Sequence, residues 1–341
     1  MFIVYGVLLI ASGEEMYVAE GGKNDVRNFY YLKGVFVSIL PIYIFYLYTL
    51  RGWLTEEKLK KYVWVFIPIV IMQFFRSQRE ALIKQALRGS TSEEVTNNAG
   101  YVVLSLLPTV YLFRKKIILQ YVLMGLCVVF IVMAMKRGAI LIGAIVVLLF
   151  IWSSLRHASY KQKFIVLFVS ALLLLCGYMV VDYMLDNSHY FNARLKATEA
   201  GKMSGRNRLY PMIWQAFVNE PNLLIQLFGR GANGTLKIAP NYAHNDWLEI
   251  LTNQGLMGIS VFIAYWYCFW FNAKHKVRNI YDKLSLMMIL CITFLRTLFS
   301  MSYADMDIYL TSVMGFCLAG GFERAEEEEM EDEQNDLEEN A

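Results

Sequence analysis

The sequence offers little with which to organise a metal ion or a nucleotide. Its five cysteines, Cys127, Cys176, Cys268, Cys291 and Cys317, lie scattered in long apolar runs, without the close spacing of a zinc or redox pair. They read as small apolar packing residues. The four histidines form no HxxxH pattern. The stretch Gly229-Arg230-Gly231-Ala232-Asn233-Gly234 lacks the strand context and the following Lys-Ser/Thr of a nucleotide loop, so it reads as a tight turn. No internal repeat is apparent. The expectation is therefore a protein with no metal, no cofactor and no nucleic-acid partner. Charge is also scarce: 18% of the 341 residues are charged and 57% hydrophobic, with a mean hydropathy of +0.40. Soluble domains carry about a quarter charged residues, so a single soluble globular protein and a disordered chain are both disfavoured. The apolar segment from Met1 to Ala11 has no basic residue before it, and Ser12-Gly13-Glu14-Glu15 makes a poor cleavage site. It reads as the remnant of a helix from a longer parent, or as a chain begun at an internal Met, rather than a signal peptide.

What is present divides by charge. From Glu323 to Ala341 there are 11 acidic residues and one basic residue, Arg324, so the tail carries −10 and the preceding 322 residues +13. The small total of +3 is the difference between two unlike parts.

Apolar runs recur at Tyr31–Leu50, Tyr62–Phe75, Ala99–Phe113, Ile117–Met135, Gly138–Leu155, Phe164–Leu185, Leu248–Phe271, Leu284–Ser300 and Ile308–Gly320. A backbone in lipid must satisfy its own hydrogen bonds, so these runs are expected to be helices. The fold class is all-α, a polytopic membrane protein with 9–10 transmembrane helices. Four short loops are rich in Lys and Arg: Arg51/Lys58/Lys60/Lys61, Arg114/Lys115/Lys116, Arg156/Lys161/Lys163 and Lys274/Lys276/Arg278/Lys283. If spans alternate, all four fall on one side, which the positive-inside rule makes cytoplasmic. The expected organisation is N-terminal helices over 1–185, an extracytoplasmic loop over 186–247, C-terminal helices over 248–321 and a disordered acidic tail over 322–341 in the cytoplasm. A second, smaller outer loop runs from Arg76 to Asn98.

Between Asn187 and Asn245 the large outer loop holds seven basic residues, Arg194, Lys196, Lys202, Arg206, Arg208, Arg230 and Lys237, against Glu199 and Glu220. Membrane insertion does not demand that excess, and an anionic ligand explains it; solvated loop charges are the bland alternative. Leu209, Met212, Ile213, Ala216 and Phe217 follow helical spacing, with Pro211 near the first turn and Asn207 or Ser204 as cap. This helix lies on the membrane or covers a cavity. Arg206 and Arg208 stand at its N-terminus, where backbone N–H groups and the dipole already favour anions, and an Arg fork suits phosphate. Arg137 opens a span at its outer end, with snorkelling as its structural reading. Arg296 sits inside a span, where an ionisable residue is by default functional; pairing with Asp305 or Asp307 is the structural alternative. His244 stands where the loop re-enters the membrane, and a neutral imidazole there suits proton transfer from a sugar hydroxyl.

The stretch from His244 to Gly258 resembles the O-antigen ligase/O-antigen polymerase superfamily of bacterial envelope glycosyltransferases. That family's pattern is His, then Asn, Ser or Gln, nine residues, Gly, two residues, and Gly or another small residue. His244-Asn245, nine residues, Gly255, Leu-Met and Gly258 match it fully. Ser204-Gly205-Arg206 with Trp214 resembles the family's arginine-bearing loop segment, Phe228-Gly229-Arg230-Gly231 its glycine-rich stretch, and Lys136-Arg137-Gly138 the arginine that opens a span. The family's Arg-x3-Leu element is departed from: Arg206 is followed at that spacing by Tyr210, and Arg208 by Met212. The choice between the two arginines stays open. The family commonly has about twelve spans, so N-terminal helices are missing from this chain by that comparison.

The resemblance implies transfer of a glycan from a polyprenyl pyrophosphate, in the leaflet facing the periplasm, to a lipid-A-core sugar, a growing chain or a protein hydroxyl. It places the protein in the bacterial inner membrane with an active site facing the periplasm. His244 and Arg206 would be catalytic, with Arg208, Arg137, Arg296, Arg230 and Asn245 binding pyrophosphate or glycan, and inversion would proceed without a metal. Ligase and polymerase share all of these residues. A transporter or flippase of an anionic lipid-linked glycan and a non-catalytic envelope scaffold are the other classes this sequence admits.

Overall fold

A computed structural model describes residues 28–87, 96–200, 206–231, 233–300, 302 and 307–339. Met1–Ala11, Ser204-Gly205 and Asp305 lie outside them. Among the described residues the chain is helical and contains no strand. In chain order the helices are α1 (Asn28–Leu50), α2 (Glu56–Leu87), α3 (Gly100–Leu104), α4 (Ile117–Met133), α5 (Arg137–His157), α6 (Tyr160–Asn187) and α7 (His189–Glu199). After these come α8 (Arg206–Val218), α9 (Leu223–Phe228), α10 (Asp246–His275), α11 (Ile280–Phe299), α12 (Ile308–Leu318) and α13 (Gly321–Glu339). The protein is an all-α polytopic membrane protein. By length and composition Arg137–His157, Tyr160–Asn187 and Asp246–His275 suffice to cross a bilayer, while α4 and α12 are shorter apolar helices. In α6 only Val166, Ser170 and Leu173 are buried, and Phe164, Phe168, Tyr178 and Tyr183 face outward. Such an apolar outer surface is stable against lipid and costly against water.

The chain forms two compact units. One comprises Met1–Pro41, Lys196–Asn272 and Thr293–Met306; the other comprises Ile42–Leu195, Ala273–Ile292 and Asp307–Ala341.

In the second unit one expected span takes a different form. The run from Ala99 to Phe113 is not one helix: α3 gives way to a 3-10 turn over Leu107–Phe113 that Pro108 opens. All seven residues of that turn are buried. Irregular backbone at membrane depth is tolerated where protein surrounds it. Local bonds hold it: Ser105 Oγ donates to Val102 O at 2.5 Å, and Thr109 Oγ1 to Leu106 O at 2.6 Å. Asn97 anchors its start, donating to Phe74 O at 2.9 Å and accepting from Ser77 Oγ at 2.7 Å and Ala99 N at 2.9 Å.

The acidic tail also departs from expectation. It is a helix, α13, rather than a disordered segment. The Asp282 carboxylate accepts from the first N–H groups of α13, Phe322 at 3.2 Å and Glu323 at 3.2 Å, which a helix start leaves without intrahelical partners. Phe322 is buried. Arg114, itself 5% exposed at the side chain, bonds Glu56 at 2.6 Å and approaches Glu326 at 3.6 Å. Its guanidinium lies 5.1 Å from the Tyr281 ring centre and 4.9 Å from that of Phe322. Lys115 pairs with Glu329 at 2.6 Å, and Asn279 donates to Glu326 at 2.7 Å. Arg114 and Lys115 of one basic loop therefore pair with the acidic helix, and Asn279, beside another, bonds it as well.

Candidate active site

The first unit is organised by a break in α10. Its segment Asp246–Gln254 stops at Gly255, whose φ of +65° and ψ of −159° are not helical. A side chain at Gly255 would meet Gln226 O and Leu227 C at 2.5 Å, so the break needs glycine for its dihedrals and for the approach of α9. Gly229, at φ +81°, passes equally close to the backbone of Asn253 and Gln254 from the other side. A Cβ on Gly258 would lie 2.5 Å from that of Gln254. The spacing of glycines after His-Asn thus records two helical pieces and the backbone that wedges between them.

Breaking a helix frees carbonyls. Those of Thr252 and Asn253 accept from Arg230 N at 2.8 Å and Gly231 N at 3.0 Å. The N–H groups of Gly229 and Gly234 also bond within the loop, to Ile225 O and Gly231 O. The glycine-rich stretch therefore commits its amides to the fold, as expected of a turn. The Arg230 guanidinium pairs with Glu220, itself only 9% exposed at the side chain. This pair clasps the ends of the segment that carries α9.

The piece Asp246–Gln254 is polar yet buried: Asp246, Glu249, Thr252, Asn253 and Gln254 are each at most 4% exposed. Buried carboxylates persist where donors meet them. Glu249 accepts from Thr235 Oγ1 at 2.7 Å and from Ala243 N at 2.5 Å, fixing the 3-10 turn Gly234–Lys237 and the residue before His244. Asp246 accepts from Ser302 N at 2.8 Å and Ser302 Oγ at 2.7 Å, with buried Arg296 within electrostatic reach. Asp307 caps α12 through Tyr309 N at 3.0 Å.

Helix α8 forms where its spacing predicts. Ile213 is wholly buried with Ala239 and Ala243, and Leu209, Tyr210, Met212, Ile238 and Leu248 pack around them. This face covers the loop leading to His244. Burial of Ile213 alone contributes about 1.5–3 kcal/mol.

Arg206, Asn245 and Trp247 gather at the C-terminal end of α11. A helix end leaves carbonyls without partners and bears partial negative charge. Arg206 Nη2 donates to Phe299 O at 2.9 Å, Asn245 Nδ2 approaches Leu298 O at 3.4 Å, and Trp247 Nε1 donates to Thr297 Oγ1 at 3.0 Å. Asn245 also caps the α10 N-terminus, accepting from Leu248 N at 3.1 Å. The Tyr210 hydroxyl hydrogen-bonds both Asn245 and Arg206. Burial raises its pKa above the ordinary tyrosine value, opposed by the Arg206 charge and these two bonds, so it remains a phenol. His244 is exposed at the mouth of this cluster, in the left-handed region at φ +52°.

Arg206 and Asn245 are thus joined through Tyr210. Arg208, two positions along α8, is exposed; two residues turn a helix by about 200°. Arg137 is the first residue of α5 in the other unit and is half-buried there. Sequence pattern alone does not single out Tyr210, although it stands i,i+4 from Arg206, nor the anchoring carboxylates Asp246 and Glu249. Periodicity could not reveal those, because the break at Gly255 buries a polar helix face.

No curated protein and no solved structure matches the chain. A family model described as O-Antigen ligase matches residues 121–263, a segment that includes Arg137, Arg206, Arg208, Arg230, His244 and Asn245 but not Arg296. With its His-Asn motif built around the broken helix, that segment is similar to the O-antigen ligase family, whose members are membrane glycosyltransferases.

Proposed function

We propose that this protein moves a glycan from a polyprenyl-pyrophosphate carrier to an acceptor hydroxyl, as a ligase or polymerase of envelope polysaccharide. One observation carries the reading: Arg206 and the Asn of the His-Asn motif converge on the end of α11, with His244 exposed beside them. The acceptor oxygen attacks the anomeric carbon while the bond from that carbon to the phosphate oxygen breaks. The pyrophosphate departs with the electron pair, and His244 takes the hydroxyl proton. Displacement from the opposite face inverts the anomeric centre.

Charge grows on the leaving oxygen as the bond breaks. Arg206 stabilises it without a metal, because a guanidinium has five donors and Phe299 O engages only part of that fork. Tyr210 and the α11 end hold the fork in place, so little reorganisation is needed during the reaction. Asn245 orders the turn that presents His244, and Arg296 with Asp246 supports the same helix end. Arg206, rather than Arg208, is the key loop arginine on this reading, and Arg230 is a clasp. The protein resides in the bacterial inner membrane, the site faces the periplasm and α13 lies in the cytoplasm.

The test uses wild type, His244→Ala and Arg206→Ala in proteoliposomes loaded with lipid-linked glycan and acceptor. His244→Ala should lower kcat/KM by about 10²–10⁴, and Arg206→Ala by about 10²–10³. Arg206→Lys should not restore the rate, since a point charge lacks the fork. Full activity in both alanine variants overturns the assignment. Product analysis separates the two activities: free long chains left on the carrier mark lost ligation, and single units on the acceptor mark lost polymerisation.

A further inference from the structure

Helix α9 reads Leu-Leu-Ile-Gln-Leu-Phe, and none of its residues is buried. Leu223 and Leu224 are 64% and 65% exposed. In water, leucines left this exposed forgo the stabilisation that burial gives. This exposure is not the fraying of a loose end. Asn222 Oδ1 caps the helix through Leu224 N at 3.0 Å, and Gln226 Nε2 donates to Glu220 O at 2.9 Å. The Glu220–Arg230 pair closes the segment, and Gly229 locks it against the α10 backbone. The structure holds an apolar face outward with care.

Depth identifies what covers it. Leu227 meets Gly255 backbone to backbone, and Gly255 is where the apolar length of α10 resumes. From Leu256 to His275 that helix extends about 30 Å, the thickness of a hydrocarbon core. Leu256 and Met257, the first residues past the break, are exposed, as are Ile263, Tyr267 and Trp270 farther along. The exposed leucines of α9 therefore lie beside the end of the span whose own exposed apolar residues begin at Leu256. Trp214 and Val218, one helical turn apart on α8 and just upstream in the chain, are also exposed. Tryptophan beside leucines at a span's end is the composition of a membrane–water interface.

We propose that α9, with Trp214 and Val218, is a lipid-embedded platform that seats the loop in the acyl–headgroup boundary of the adjacent leaflet. Its occupant is phospholipid. On the glycosyltransferase reading above, the platform holds Arg206 and His244 at headgroup depth, where the pyrophosphate of a lipid-linked donor lies.

The test uses full-length protein in phosphatidylethanolamine/phosphatidylglycerol proteoliposomes, with the native cysteines replaced and a bimane label on Leu224→Cys. Strong quenching by doxyl-labelled lipid with weak quenching by aqueous iodide is the expected result. Iodide quenching without doxyl quenching overturns the platform. So does shielding from both quenchers, with the introduced thiols of two copies forming a disulfide in the unlabelled variant, which would make the face a contact between copies. A second variant, Leu223→Ser with Leu224→Ser, keeps the native cysteines. It should retain kcat but show a severalfold higher KM for lipid-linked donor in membranes; an unchanged KM overturns the proposal. Doxyl quenching in a protein that transfers no glycan would leave the platform standing and remove the enzymatic reading. Transfer without doxyl quenching does the reverse.

Discussion

Glu249 offers the sharpest test of how the site is held. Replacement by alanine removes the acceptor for Thr235 Oγ1 and for Ala243 N, both fully buried residues. Each orphaned donor costs about 1–3 kcal/mol, so the pair costs roughly 2–6 kcal/mol, less what is recovered by no longer burying a carboxylate. The structural consequence falls on the next residue. A non-glycine residue in the left-handed region costs on the order of 1–3 kcal/mol and persists only where its surroundings over-determine it. His244 at φ +52° relies on the Ala243 bond before it and the Asn245 cap after it. Glu249→Ala should therefore lower both thermal stability in detergent and glycan transfer. Glu249→Gln discriminates between causes: its amide oxygen accepts from Ala243 N, and its amide nitrogen donates to a Thr235 hydroxyl that has turned to accept. It should retain most stability and activity. A glutamine variant as impaired as the alanine one would show that the carboxylate acts through its charge, and a fully active alanine variant would refute the positioning argument.

The same residue shows where the sequence was legible. The apolar runs were readable as helices because lipid leaves the backbone no other partners, and they recur in the structure, with 99–113 the distorted exception. The α8 face from Leu209 to Phe217 was readable because one amphipathic period fits it, and Ile213 at its centre is wholly buried. What escaped is polar and buried. Glu249 and Asp246 sit at the head of an apolar run and carry no periodic signal, since their partners come from residues 235, 243 and 302. The order of α13 escaped for a related reason: composition gave eleven acidic residues, but not that Asp282 would cap the helix or that Arg114 and Lys115 would face it. Tyr210 was passed over as a departure from the Arg-x3-Leu pattern, although that position puts its hydroxyl between Arg206 and Asn245.

Three further outcomes follow from the packing. Arg114→Ala should destabilise the protein by less than the about 3–5 kcal/mol of a stranded buried charge, because Lys60 still pairs with Glu56 at 2.7 Å; removing Lys60 as well should approach that loss, and equal melting of Arg114→Ala and wild type in detergent would contradict a buried pair. Tyr210 and Tyr242 both have hydroxyl pKa values raised mainly by burial, so the folded state holds these protons more tightly than the unfolded state. Their contribution is fully present below pH about 10 and is lost as pH rises through the folded values; Tyr210→Phe with Tyr242→Phe should flatten the alkaline limb of a stability–pH curve, and an unaltered limb would count against their burial. Gly255→Ala should be, with Gly229→Ala, among the most damaging single methyls in the first unit. It forces an L side chain into φ +65° and drives Cβ to 2.5 Å from Gln226 O and Leu227 C. Neither neighbour is a flexible side chain, so α9 must move off α10, uncapping the Thr252 and Asn253 carbonyls that Arg230 and Gly231 now satisfy. Strain of about 1–3 kcal/mol adds to two lost bonds of about 0.5–1.5 kcal/mol each. Glycan transfer should fall with melting temperature, whereas Gly52→Ala, at a positive φ with open space around it, should incur only the backbone strain. Equal melting temperatures for the two variants would mean that the break in α10 is not clamped by α9.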